Sequence, residues 1–208
     1  MEPTTNRPRR PLPSLWGCTL LFVGISVLGW LFEMIGRYLL YRHVNDRGFL
    51  TLPVCPIYGS CVLLAGFLLG SPSSPAPLLA RMSDWDGIPR PLRIPWRVFL
   101  YFVGATALAT LIELFVGLVF RALGIPLWNY AERPGNIAGV ICPSYSLLWG
   151  VLMTAVMALL WDRLCRLVEK IPRRVAKIAA LVSAGLLLGD FLWNCAFVAL
   201  TGTRFIWM

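Results

Sequence analysis

Five apolar runs, at about residues 15–40, 54–70, 97–123, 138–161 and 176–200, constrain this chain more than any other feature. A run of about 20 apolar residues crosses the ~30 Å hydrocarbon layer as a helix, whose backbone amides all find partners within it. Continuous runs, rather than ten-residue alternation, select helices over a barrel. Hydrophobic residues make up 58% of the 208 and charged residues only 14%, with mean hydropathy +0.70, which excludes a soluble domain. The expected fold is therefore all-α, a polytopic membrane bundle of about five transmembrane helices. The second run is short and opens at a proline, so its outer end is expected to be irregular.

Charge sets the expected orientation. The segments 1–14, 71–97 and 162–177 carry 13 of the Lys and Arg residues, and the opposite side carries 6. The positive-inside rule then places the N-terminus in the cytoplasm of a multi-pass plasma (inner) membrane protein. The net charge of +9 is read as topology and as attraction to anionic membrane lipids, not as a nucleic-acid surface. The first run is too long for a removable signal peptide and is expected to stay as an anchor. Six cysteines and the lone His43 form no Cys-x-x-Cys or zinc pattern, and no cofactor is called for; whether a metal binds is left open.

Three acids, Glu33, Glu113 and Asp190, fall inside separate apolar runs. An ionised carboxylate at the bilayer centre costs about 2.5–3.5 kcal/mol on insertion scales, so such acids are functional candidates by default and face a bundle interior or a wet cavity. The alternative is that they only hold helices together.

An internal repeat organises the runs. Cys55-Pro56-Ile57-Tyr58 matches Cys142-Pro143-Ser144-Tyr145 at an offset of 87, while Glu33 matches Glu113 at an offset of 80, leaving seven extra residues in the second outer loop. A half repeat at an offset of 77 brings Glu113 onto Asp190 and Phe120 onto Phe197. The expected organisation is a basic tail 1–14, a first hairpin 15–70, a Pro-rich linker 71–96 (stiff or disordered), a second hairpin 97–161, a basic loop 162–175, and a fifth span with a short tail, 176–208. The repeat unit is a two-helix hairpin, so its copies are parallel, and Glu33, Glu113, Asp190, Tyr58, Tyr145 and Asn194 are expected in one layer near the outer face.

Chemistry within that layer is uneven. Glu33 has Arg37 four residues on, the favourable order for a helical ion pair, whereas Glu113 has Gly117 there and Asp190 has Asn194. Glu113 is therefore expected to lie buried between helices, within reach of Glu33, Asp190, Tyr58 or Tyr145. The aromatics of Trp128-Asn129-Tyr130 fit an interfacial belt.

An ordered set of motifs adds a family reading. Gly29-Trp30, Glu33, Arg47-Gly48-Phe49-Leu50, Pro56-Ile57-Tyr58-Gly59, Glu113, Trp128 with Tyr130, Pro134 with Asn136, Gly139 with Ile141-Cys142, and Ser146-Leu147-Leu148-Trp149-Gly150 stand in sequence over about 29–150. This set resembles the ABC-transporter permease family of type IV, also called CmpB-like. Two positions depart from the family pattern: Asp46 stands for Asn, and Asn129 stands for the Asp between Trp128 and Tyr130. The resemblance implies a transport role, and it brings Asn136 into the candidate polar layer with Arg37.

The residues frame that role. No Gly-x-x-x-x-Gly-Lys-Ser/Thr loop occurs, and the only lysines are Lys170 and Lys177, so ATP hydrolysis would need a separate ATPase subunit. The leading reading is a transporter component moving a small solute or ion past intramembrane carboxylates, with an ATPase or a second copy of the chain as partner. A structural or lipid-binding protein comes next. A membrane-embedded enzyme on a lipid or envelope precursor comes last, because no nucleophile–His arrangement supports it.

Overall fold

A computed structural model describes residues 12–42, 48–83 and 87–205. The basic tail over 1–11, His43, Asp46 and Arg47 lie outside the described residues. The described chain is helical: α1 (Leu15–Tyr41), α2 (Pro56–Leu68), α3 (Pro77–Ser83), a 3-10 turn at Arg90–Leu92, α4 (Arg93–Ala122), α5 (Pro143–Leu159), α6 (Trp161–Glu169) and α7 (Arg173–Thr201). No strand forms among the described residues, only isolated bridges at Gly70–Pro75 and Ile137–Ile141.

The helix ends follow from local chemistry. Ser14 caps α1 by accepting from the Gly17 N–H, and the helix stops at Arg42 in the left-handed region, φ 56°. Cys55 and Cys142 are extended, and each is followed by a proline at the first helical position, where the missing N–H costs nothing. The Cys-Pro pairs therefore set the starts of α2 and α5. Gly202, at φ 71°, closes α7.

Three helical stretches are long and apolar enough to cross a membrane: Leu15–Leu39, Arg90–Ala122 and Arg173–Thr201. A fourth counts only if α5 and α6, bent by 52° about Leu160, form one broken span. The apolar run at 138–161 is thus not one straight helix, because residues 138–142 belong to the preceding loop. Nor is 54–70 a full crossing: α2 has 13 residues, about 20 Å at 1.5 Å per residue. It ends at a turn in which Gly70 takes φ 79°. Proline at the start and glycine at the end shorten this helix by cutting into its apolar run.

The helices pack as two hairpins, α1 with α2 and α4 with α5, joined through α2 against α4. The linker expected over 71–96 is in part ordered, since α3 folds within it and packs on α4, while α6 packs on α1 and α5. The main core lies toward the α1-start end, where Tyr101 and Trp161 are fully buried among Val62, Ala65, Met153 and Met157. Tyr101 Oη donates to the Gly70 carbonyl (3.0 Å), fixing the α2–α3 turn to α4. Gly66 lets Trp161 lie flat on α2, with no room there for a Cβ. Outside this core, Leu28, Leu31 and Ile35 of α1, Leu111 and Phe115 of α4, and Leu186, Leu192 and Trp193 of α7 are exposed. Apolar surface of this extent is foreign to a water-soluble monomer and ordinary in lipid. The chain is an integral membrane protein.

Candidate functional site

The site is built where the hairpins meet. Glu33 lies in the C-terminal half of α1, one turn beyond Gly29, whose bare backbone lets the Tyr58 ring lie against the helix. Tyr58, in the first turn of α2, donates its hydroxyl to Glu33 Oε1 at 2.7 Å. Arg37 acts on Glu33 electrostatically from the next turn of α1. The expected Glu33–Arg37 neighbourhood is present, and Tyr58 joins it.

Glu113 occupies the matching place on α4 and is only 5% exposed. Its Oε1 accepts from Tyr130 Oη at 3.0 Å. Trp149 of α5 approaches the same carboxyl, and Glu33 is close enough to act on it electrostatically. Its second oxygen, Oε2, is buried with no hydrogen-bond partner. A carboxylate oxygen buried without a donor loses its hydration with nothing in return, a cost of about 1–3 kcal/mol or more.

Aromatic rings wall the two carboxyls. Trp149 meets Tyr58 edge-on at 5.5 Å and Phe32 edge-on at 6.4 Å between centroids. Tyr145, one of the residues expected within reach of Glu113, stacks on Tyr130 at 4.9 Å and 17°. The Arg133 guanidinium lies 5.8 Å over the outer ring, that of Tyr145. Burial first, then the Glu113 carboxylate, pushes the Tyr130 hydroxyl above its ordinary range, so Tyr130 stays a donor at any physiological pH.

A knot of loop bonds presents Tyr130. Its N–H donates to the Gly139 carbonyl at 2.8 Å, Asn136 Nδ2 donates to the Ala131 and Arg133 carbonyls, and Asn136 Oδ1 accepts from the Gly139 N–H. Asn129 Oδ1 accepts from the Ala131 N–H, Trp128 Nε1 donates to the Val140 carbonyl, and Arg121 donates to the Ala138 carbonyl. Asn136 thus frames the loop and reaches the carboxyls only through it. Asn129 does the same in the place where the family pattern has Asp.

Asp190 is bonded to a different set of groups. Its Oδ2 accepts from the Thr51 and Leu52 N–H groups at 2.9 and 3.1 Å, and its Oδ1 accepts from Asn194. Asn194, buried, also donates to Thr51 Oγ1 at 2.7 Å. These bonds tie α7 to the segment after α1. Phe49 strengthens the tie by packing on Phe191 of α7 and Phe120 of α4, and Arg204 donates to the Gly48 carbonyl. Both oxygens of the third acid are taken up by the Thr51 and Leu52 amides and the Asn194 side chain, so the candidate centre is described around Glu33 and Glu113. Sequence reasoning left Tyr130 and Trp149 out of that centre. The signals for them were the seven extra loop residues and the Ser-Leu-Leu-Trp-Gly motif.

Among the described residues no group of three or more His, Cys, Asp or Glu side chains is placed to hold a metal ion. All six cysteines are free thiols.

No curated protein and no solved structure matches the chain. A family model described as "Putative ABC-transporter type IV" matches residues 20–195, from the second turn of α1 to near the end of α7, and includes both glutamates with their aromatic partners. The chain belongs to that family.

Proposed function

We propose that this chain is a membrane-embedded transporter component that moves a small solute or ion past Glu33 and Glu113. The observation that carries the reading is Glu113: a carboxyl buried in an apolar helix, held on one side by Tyr130, with its other oxygen lacking a hydrogen-bond partner. A purely structural acid has its oxygens occupied, as Asp190 does. Tyr58, Tyr130, Tyr145 and Trp149 line the site, Arg37 balances Glu33, Asn136 shapes the lid-like loop, and Asp190 with Asn194 anchors α7.

In this reading the chain crosses the plasma membrane five times with its N-terminus in the cytoplasm. The second crossing is completed by the non-helical residues flanking α2, and the fourth is α5. The hairpins 15–70 and 97–161 form a parallel repeat, an arrangement supported by a reciprocal contact: α3, which follows the first hairpin, packs on α4, and α6, which follows the second, packs on α1. A separate ATPase supplies energy and docks on the exposed basic stretch Arg163, Arg166, Lys170, Arg173, Arg174 and Lys177.

The test uses the full chain in proteoliposomes and a water-soluble carbodiimide with glycinamide, read by peptide mass. Transport requires water to reach the site, so Glu113 is expected to be modified, and Glu113→Gln to unfold at or above the wild-type temperature. An unmodified Glu113 together with a destabilised Glu113→Gln variant would mean that the acid only holds helices together.

A further inference from the structure

Resting on that reading, we propose that the transported species is a monovalent organic cation, an ammonium or quaternary ammonium compound held between the Glu33 and Glu113 carboxyls and the faces of Trp149 and the tyrosines. The buried, unpartnered Glu113 Oε2 is the point of attachment. It is not an isolated acid: the side chains around it are aromatic, with Trp149 against the carboxyl and Tyr58 and Phe32 packed on that indole.

Aromatic faces attract cations through the ring quadrupole, tryptophan most strongly, and the attraction grows when water is excluded. The wall already does this within the chain, since the Arg133 guanidinium sits over the Tyr145 ring. Small inorganic divalent ions demand six or more oxygen ligands, whereas this site supplies two carboxyls and tyrosine hydroxyls that are donating. An anion would meet two like charges. Counting charge narrows the class further: Arg37 offsets Glu33, which leaves Glu113 to be balanced by a single positive charge.

The experiment measures binding of radiolabelled tetraethylammonium and methylammonium to the full chain in proteoliposomes, beside carbodiimide modification of Glu113. At least one of these cations is expected to bind and to protect Glu113. That binding should weaken at least tenfold in Glu113→Gln and in Trp149→Leu, and stay unchanged in Glu132→Gln, an exposed acid of the same loop. Should Glu113→Gln fail to reach the membrane, Trp149→Leu carries the comparison. A Glu113 that is modified but protected by neither organic cation, or protected instead by sodium or magnesium, overturns the substrate class and leaves the transport reading standing. A Glu113 that is never modified removes both.

Discussion

In the first hairpin the carboxyl of Glu33 is met by Tyr58, a residue of the returning helix; in the second, Glu113 is met by Tyr130, a residue of the connecting loop. Tyr145 is the counterpart of Tyr58 two residues after the Cys-Pro pair, yet its ring stacks on Tyr130 instead of reaching the acid. On the proposed repeat, the seven extra residues of the second loop interpose Tyr130 between helix and carboxylate. The helices beneath record the same change. Gly29 leaves a bare surface on which Tyr58 lies, whereas the equivalent residue at an offset of 80 is Ala109, buried and carrying a methyl group. One hairpin holds its acid rigidly through helix-to-helix contact. The other holds it through a loop, with one oxygen left over. Glu113 thus keeps a buried oxygen without a hydrogen-bond partner, the group on which the proposed transport site rests.

The largest effect expected from breaking this comparison comes from Gly29→Ala. A methyl group there overlaps the Tyr58 ring, which is not the flexible end of a side chain and must rotate away from Glu33. Overpacking costs about 1–3 kcal/mol. The lost hydrogen bond to a charged group adds about 1.5–3 kcal/mol, against a gain of up to about 1 kcal/mol in helix propensity. Thermal unfolding in detergent should show a clear drop. The converse change, Ala109→Gly, should cost about 1–2 kcal/mol, the propensity difference plus the packing of one buried methyl group. Equal losses in the two variants would mean that the hairpins do not differ as described.

Removing hydroxyls sharpens the same contrast. Tyr130→Phe takes from Glu113 its hydroxyl donor and should cost about 1.5–3 kcal/mol. Tyr58→Phe should cost less, because Arg37 still acts on Glu33. Tyr145→Phe keeps the ring stack and should stay within about 0.5 kcal/mol of wild type. Unfolding midpoints in that order, measured with the same detergent, support the asymmetry; a Tyr145→Phe loss as large as that of Tyr130→Phe removes it.

Much of this was legible in the sequence. Apolar runs announced helices, and the Cys-Pro pairs announced where α2 and α5 begin. What the runs could not convey was where helix gives way to loop. The proline opening the second run marked its irregular end, but composition is blind to the loop residues before Pro143 and to the bend at Leu160, so 138–161 read as a longer helix than it is. The third acid misled for a related reason. From its own helix Asp190 shows only the partner Asn194; its other oxygen accepts from the backbone amides of Thr51 and Leu52, about 140 residues away in the chain, and backbone donors leave no residue-type signature. Tyr130 was visible as a motif, but an aromatic next to a membrane helix fits an interfacial belt equally well until the loop's fold shows which way its hydroxyl turns.

The smallest expected effect concerns the opposite end of the molecule, where the two hairpins are again tied differently. The α6–α1 contact is held by a carboxylate: Glu169 Oε1 accepts from both the N–H and the Oγ of Ser14, each at 2.7 Å, and Ser14 in turn caps α1. At the α3–α4 contact the described bond joins neutral groups, Trp96 Nε1 donating to the Met82 carbonyl at 3.4 Å. The Ser14 hydrogen bonds hold the Glu169 carboxyl below its ordinary value of 4.5. A folded-state value below the unfolded one contributes stability that is present above pH 4.5 and is lost as the pH falls below it. Glu169 is exposed, so solvent screening keeps the contribution under about 1 kcal/mol. Hydrogen exchange corrected for intrinsic rates should therefore show the amides of residues 15–18 losing protection between about pH 5 and pH 3, while those of 79–83 do not. Glu169→Gln should remove that pH dependence without disturbing α3. Loss of protection at both contacts, or at neither, would show that the carboxylate is not what distinguishes them.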